Sequence, residues 1–216
     1  MLWALAMQAI VLGTSARADS RLVDIETAQR VAVAWVGYLH DKQVRGFLRL
    51  TPEQEDASDA VQAGAILSFD PQGPAVSEVV LRRIEDDVRD TGERLRRILN
   101  ERQMQMLRQI ELQGSARSGL QYVLMRRDVV AGLQLSEAQV ERMRSLTRKC
   151  DEDRARIRAL FRRGKADGSD LRKLDIRVEE QLLGTLTPEQ REHWRLLLGP
   201  HYDITTSFDT RDRASR

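Results

Sequence analysis

Four times in 216 residues the chain repeats one pattern: Leu, then Thr, Asn or Ser, then two residues, then Gln. The segments are Leu50-Thr51-Pro52-Glu53-Gln54, Leu99-Asn100-Glu101-Arg102-Gln103, Leu135-Ser136-Glu137-Ala138-Gln139 and Leu186-Thr187-Pro188-Glu189-Gln190. Each has the chemistry of a helix start. The oxygen of Thr51, Asn100, Ser136 or Thr187 accepts from an orphan backbone N–H. Gln54, Gln103, Gln139 or Gln190, three residues on, reaches back to the N-cap N–H and completes a capping box. Pro52 and Pro188 fall at the first helical position, where no N–H is needed. Glu53, Glu101, Glu137 and Glu189 set negative charge beside the positive end of the helix dipole. Such a cap contributes roughly 0.5–2 kcal/mol, so stability alone accounts for the motif.

The motifs recur in paired order. Leu39, Val44, Leu48, Leu50 and Gln54 return as Leu124, Val129, Leu133, Leu135 and Gln139, 85 positions later; Leu95, Leu99, Gln103 and Arg108 return as Leu182, Leu186, Gln190 and Arg195, 87 later. This predicts an internal duplication, copy 1 over residues 19–114 and copy 2 over 115–202, followed by a disordered tail over 203–216. Each copy is expected to run the same course. A lead-in helix comes first (Ala28, Val31, Ala32, Trp35 and Leu39; Leu120, Val123, Leu124 and Val129 in the second copy). A motif then opens a helix that meets a breaker at 70–74 or 164–169. A return helix follows (Val76, Val80, Ile84, Val88 and Leu95; Leu171, Leu174, Val178 and Leu182), and the second motif opens a closing helix. Gly114 and Gly199-Pro200 are the expected stops. The fold class is therefore all-α, extended helical hairpins or a bundle. A charged fraction of 31% with only 5% aromatics fits long solvated helices with narrow apolar seams.

From Leu2 to Leu12 the only polar residue is Gln8, and Ala16-Arg17-Ala18 follows. The run is too short for a membrane span and has the form of an export signal over residues 1–18, cleaved after Ala18, although no Lys or Arg precedes it. A periplasmic or secreted protein is expected. Cys150 is the lone cysteine, so helix packing rather than a disulfide framework must hold the fold; on the seam Met143, Leu146, Cys150, Ile157, Leu160 it is a small buried hydrophobe.

The formal charge of +2 hides many cancelling groups, and no basic tract interleaved with aromatics suggests a nucleic-acid partner. No nucleophile-and-base arrangement is visible, so no enzyme is expected. His193, His201 and Asp203 are weak metal candidates, and His40-Asp41 and Met104 with Met106 are weaker still. None has a ligand spacing such as His-x3-His, and no cofactor is expected. The methionines suit seam fillers. The Asp167-Gly168 turn has Arg163 and Lys165 where a calcium loop needs acids.

At its four motifs, two of them full Leu-Thr-Pro-Glu-Gln, the chain resembles the periplasmic LTxxQ-motif proteins, the Spy/CpxP-like group with zinc-resistance-associated and metal-sensing relatives. Leu99-Asn100 and Leu135-Ser136 depart at the second position but keep the cap chemistry. The resemblance implies a helical-hairpin fold and a chaperone or envelope-stress role. In that reading the chain binds exposed apolar and charged surfaces of protein clients without catalysis; the Arg-flanked segments Arg82-Arg83-Ile84 and Arg156-Ile157-Arg158 suit such contacts. The alternatives are a metal-responsive sensor or accessory regulator working with an envelope signalling partner, and a purely structural helical protein. Since members of the group carry two motifs and dimerise, four motifs suggest a monomer with an intrachain pseudo-dimer, a homodimer being the other outcome.

Overall fold

Most helix starts in this protein are marked by short oxygen-bearing side chains. A computed structural model, which describes residues 16–61 and 77–204, shows what those boundaries delimit. The described residues form nine helices and no strand: α1 (Ala16–Leu39), α2 (Lys42–Leu48), α3 (Pro52–Asp59), α4 (Glu78–Ile98), α5 (Glu101–Leu124), α6 (Arg127–Gly132), α7 (Glu137–Phe161), α8 (Gly168–Leu183) and α9 (Pro188–Leu198). Besides the four motifs, Asp41 caps α2, Ser77 caps α4, and Asp167 forms a capping box with Asp170 at α8. Among the described residues no helix is long and apolar enough to cross a membrane. The apolar run Leu2–Leu12 lies outside the described residues, and Ala16–Ala18 fall in the first turn of α1.

The chain divides into two compact units, Met1–Gln113 with Gly199–Arg216, and Gly114–Leu198. In the first, α1 packs along α4 and also meets α2 and α3. The reason is visible in the spacing. Ile25, Gln29, Ala32, Val36 and Leu39 recur at intervals of three and four on α1, and Leu81, Ile84, Val88, Thr91 and Leu95 do so on α4. These are the seams of two helices packed lengthwise. Toward one end of the pair lies a small cluster of Ile25, Leu81 and Ile84. The main core gathers Trp35, Val36, Tyr38, Leu39, Val44, Leu48, Val61, Leu95, Leu99, Leu107, Ile110, Tyr202 and Ile204.

In the second unit the dominant pairing is α7 on α8. Met143, Thr147 and Cys150 are buried on one helix, and Leu174, Val178 and Leu182 on the other. Leu146, Ile157 and Leu160 are only half-buried, so the seam foreseen on α7 is closed at one end and partly open at the other. The tight turn between these helices uses Gly164 at φ +66°, a left-handed position that favours glycine. Arg154 bridges the pair, bonding Asp175 on α8 at 2.8 Å and Asp151 on its own helix at 3.5 Å.

Several sequence expectations need correction. Gly114 does not stop a helix: the helix runs on through it, and the break comes at Gly119, whose φ of 165° and ψ of 100° kink α5 before its last turns to Leu124. A glycine in a helix interior costs only about 1 kcal/mol against alanine, which the buried Leu112, Gln113 and Leu120 on either side offset. The helix opened by Thr51 ends at Asp59, whereas its counterpart α7 runs for 25 residues. Asp56, Ser58 and Asp59 are residues that compete for backbone bonds and shorten a helix. The breaker at 70–74 and Val76 lie outside the described residues. Val80, expected on the return-helix seam, is 37% exposed. The tail foreseen from residue 203 starts too early, because Ile204 is 2% exposed inside the core of the first unit; the rest of it, 205–216, lies outside the described residues. Gly199–Ile204 belong with that unit, while the second ends at Leu198.

Replacing Leu182 by Ala should lower stability by about 2–5 kcal/mol, and Met143→Ala by a similar amount, whereas Ile176→Ala should stay within about 0.5 kcal/mol. Circular-dichroism melting of the three variants checks this.

Candidate functional site

The four motif segments form two matching nodes, one in each unit. In the first, Gln54 N donates to Thr51 Oγ1 at 3.3 Å and Thr51 N donates to Gln54 Oε1 at 3.1 Å. At the second motif Gln103 N donates to Asn100 Oδ1, and Asn100 N to Gln103 Oε1, both at 2.9 Å. The two glutamines then meet. Gln54 Nε2 donates to Gln103 Oε1 and Gln103 Nε2 donates back to Gln54 Oε1, each at 3.0 Å. Each amide also donates to a carbonyl of the opposite segment, Gln54 to Ile98 O at 2.6 Å and Gln103 to Leu48 O at 3.2 Å.

The second unit repeats the arrangement bond for bond. Ser136 and Thr187 share reciprocal bonds with Gln139 and Gln190 over 2.9–3.3 Å. Gln139 Nε2 donates to Gln190 Oε1 at 2.7 Å and Gln190 Nε2 returns the bond at 3.2 Å. The outward bonds go to Thr185 O at 2.8 Å and Leu133 O at 3.3 Å. In both units the residue before the first leucine is left-handed, Arg49 at φ 50° and Gln134 at φ 52°. That reversal sets the carbonyl just upstream where the partner glutamine can reach it. L-residues rarely adopt this conformation, so finding it at two equivalent positions marks it as part of the node.

This geometry explains why Gln stands at a position where a capping box also admits Glu. In the first node each amide accepts twice on Oε1 and donates twice from Nε2, which uses its full capacity. A glutamate has no N–H to give, and two carboxylates so close would repel. The sequence reveals the caps but not the pairing, whose partners lie 49 and 51 residues apart.

A polar cluster beside the first node has no counterpart in the second, where Val130 stands at the matching place. Arg45, on α2, donates from Nε to Leu39 O and from Nη2 to Asp59 Oδ1, and lies 3.5 Å from Glu55. His40 Nδ1 is 3.2 Å from Asp59. The hydrogen bond from Arg45 holds the Asp59 carboxyl below its ordinary range, with His40 adding to the effect. Arg45 therefore ties the end of α1 to α3, and Asp41, the neighbour of His40, serves as the cap of α2.

The metal candidates are dispersed. His193 is exposed on α9, in a shallow depression with Pro188, Glu189, Glu192 and Leu196. His201 and Asp203 are exposed in the segment after α9. Among the described residues no group of three or more His, Cys, Asp or Glu side chains is arranged to hold a metal ion. Met104 and Met106 are half-buried against the core of the first unit. Burial pushes the Cys150 thiol up, which keeps it neutral and a poor nucleophile.

Open apolar surface occurs where the sequence shows only seams. Phe161 and Ile176, on α7 and α8, are more than half exposed, as are Tyr122, Leu196 and Val79. Ile157 is half-buried between exposed Arg156 and Arg158, whereas Ile84, beside Arg82 and Arg83, is closed into the core. Of the two Arg-flanked segments, only the one on α7 therefore presents apolar surface. Comparison with protein families, curated sequences and solved structures finds no match to this protein. The fold and its nodes define an all-helical protein whose motif residues act on helix starts.

A double-mutant cycle on Gln54→Ala and Gln103→Ala should give a coupling energy of about 0.5–3 kcal/mol, and the Gln139/Gln190 cycle a similar one. Pairing one of them with Gln181→Ala, an exposed position, should give none. A depressed carboxyl stabilises the fold above the ordinary carboxylate range, and that contribution is lost as pH falls through its lower folded value. Glu53 and Asp167, held down by bonds from Thr51 and Ser169, act in the same direction as Asp59. Melting temperature should therefore drop below about pH 4, and Asp59→Asn should reduce the size of that drop.

Proposed function

We propose that this protein is an exported, non-catalytic helical binding protein of the LTxxQ kind, which holds apolar and charged surfaces of client proteins in the cell envelope. The observation that carries the reading is the large apolar side chains left exposed on the two helices of the α7–α8 hairpin. Phe161 and Ile176 are 54% and 52% exposed there, with half-buried Ile157, Leu160 and Leu171 nearby in sequence. Arg156, Arg158, Arg162, Arg163, Arg172 and Arg177 are exposed on the same two helices and their connection. Large exposed apolar side chains flanked by long cationic ones can hold an unfolded segment by its apolar residues while remaining soluble without it.

Other features support the reading. Two complete glutamine nodes in one polypeptide agree with an internal duplication of an LTxxQ unit, and residues 1–18 have the composition of an export signal. The motif residues are used up in capping and pairing, which leaves them to stabilise the scaffold while the hairpin surface meets clients.

The purified protein should suppress aggregation of a reduced or heat-unfolded client at less than equimolar ratio. The variant Phe161→Ser/Ile176→Ser should lose most of that effect while melting as the parent does. Equal suppression by parent and variant, or none by the parent, would count against the proposal.

A further inference from the structure

The segment after α9 is bound to the first unit in the manner of a ligand. Gly199–Ile204 contain no helix and one internal backbone bond, from Ile204 N to Tyr202 O at 3.0 Å. Two glutamines one turn apart on α5 hold the segment. Gln113 donates from Nε2 to Pro200 O at 2.7 Å and accepts from Tyr202 N at 3.0 Å. Gln109 accepts from the Tyr202 hydroxyl at 3.1 Å. Tyr202 and Ile204 are 5% and 2% exposed, whereas Pro200, His201 and Asp203 face outward. The Tyr202 ring meets Phe47 edge-on at 5.5 Å.

These contacts divide as they do when a protein binds an extended peptide. One side-chain amide reads a backbone carbonyl and a backbone N–H, which almost every sequence offers, and alternate side chains enter apolar sockets that select. Gly199 fits the same description. Its φ is +68°, and a Cβ there would collide with Gln109 Cδ, pushing aside the amide that receives the tyrosine. The segment's position therefore depends on a close approach that glycine allows.

We propose that this slot on the first unit is a peptide-binding site occupied in cis, with Gly199–Ile204 as a releasable strap. The competing ligand is an extended segment of another protein that presents an aromatic hydroxyl-bearing residue and, two positions on, an aliphatic one. The chemistry of the present occupant fixes that choice: the phenol bonded to Gln109, the backbone bonded to Gln113, and the aliphatic side group sunk into the core. Covalent attachment gives the strap a high effective concentration, so it excludes weak competitors and yields to strong ones. The slot belongs to the first unit and the α7–α8 surface to the second, so the two proposals stand or fall independently.

The probe is a labelled peptide, Gly-Pro-His-Tyr-Asp-Ile, added to the full-length protein with Tyr202→Ser/Ile204→Ser. Fluorescence anisotropy should show saturable binding at least about ten-fold tighter than to the unaltered protein, whose own strap competes. A peptide with Ser at the Tyr and Ile positions should not bind, and adding Gln113→Ala should weaken binding several-fold. A helical variant that ignores the peptide, or binds both peptides alike, overturns the proposal. Should that variant lose its helical circular dichroism, Gly199→Ala in the full-length protein serves instead. It should bind the peptide and be cleaved faster by protease within 199–204, and a folded Gly199→Ala protein that does neither overturns the proposal as well.

Discussion

A reciprocal pair of glutamine amides fastens two helix starts together in each unit, and the arrangement around it follows from that fastening. A capping box by itself is local, satisfying two N–H groups within one turn. Here the amide that closes the box still has one acceptor site and both Nε2 donors free; the acceptor and one donor go to the other glutamine, and the second donor goes to a backbone carbonyl beside the other motif. Gln54 and Gln103, or Gln139 and Gln190, thus convert two independent caps into one cross-link. Gln103 is 6% exposed, and in so dry a place a missing partner would cost more than the bond contributes.

Around the nodes the two units use different means. The first adds Arg45, bonded to the end of α1 and to Asp59, at a place where the second has Val130. The first follows its opening motif with an eight-residue helix, the second with a long hairpin of α7 on α8. A node that needs only five-residue segments leaves the connecting helices free to vary in length. That freedom is what the proposed binding role draws on, since the extended hairpin carries Phe161 and Ile176 in the open.

How much is legible can be judged from particular residues. Thr51, Asn100, Ser136 and Thr187 announce helix starts because a cap is a contact between residues three apart. The helical spacing of Ile84, Val88 and Leu95 announces a seam for the same reason, although Leu81 and not the expected Val80 continues it. Gly114 misleads, because a glycine weakens a helix without preventing it, and buried neighbours decide the outcome. Ile204 misleads because the segment around it has the composition of a fraying end; what orders it is an apolar socket that local composition does not report. Arg82-Arg83-Ile84 and Arg156-Ile157-Arg158 look alike in sequence, yet one isoleucine is closed into the core and the other is half open.

The sequence by itself determined where the four motif helices begin, part of their apolar seams and that the fold is all-helical, since those properties come from contacts within one or two turns. Only the tertiary structure decided that the capping glutamines pair across 49 and 51 residues, that Arg45 ties α1 to α3, and that Gly199–Ile204 close the core of the first unit. Those contacts join residues distant in sequence, and their strength depends on burial and on which carbonyl is left unpaired nearby. Neither quantity exists until the helices have packed.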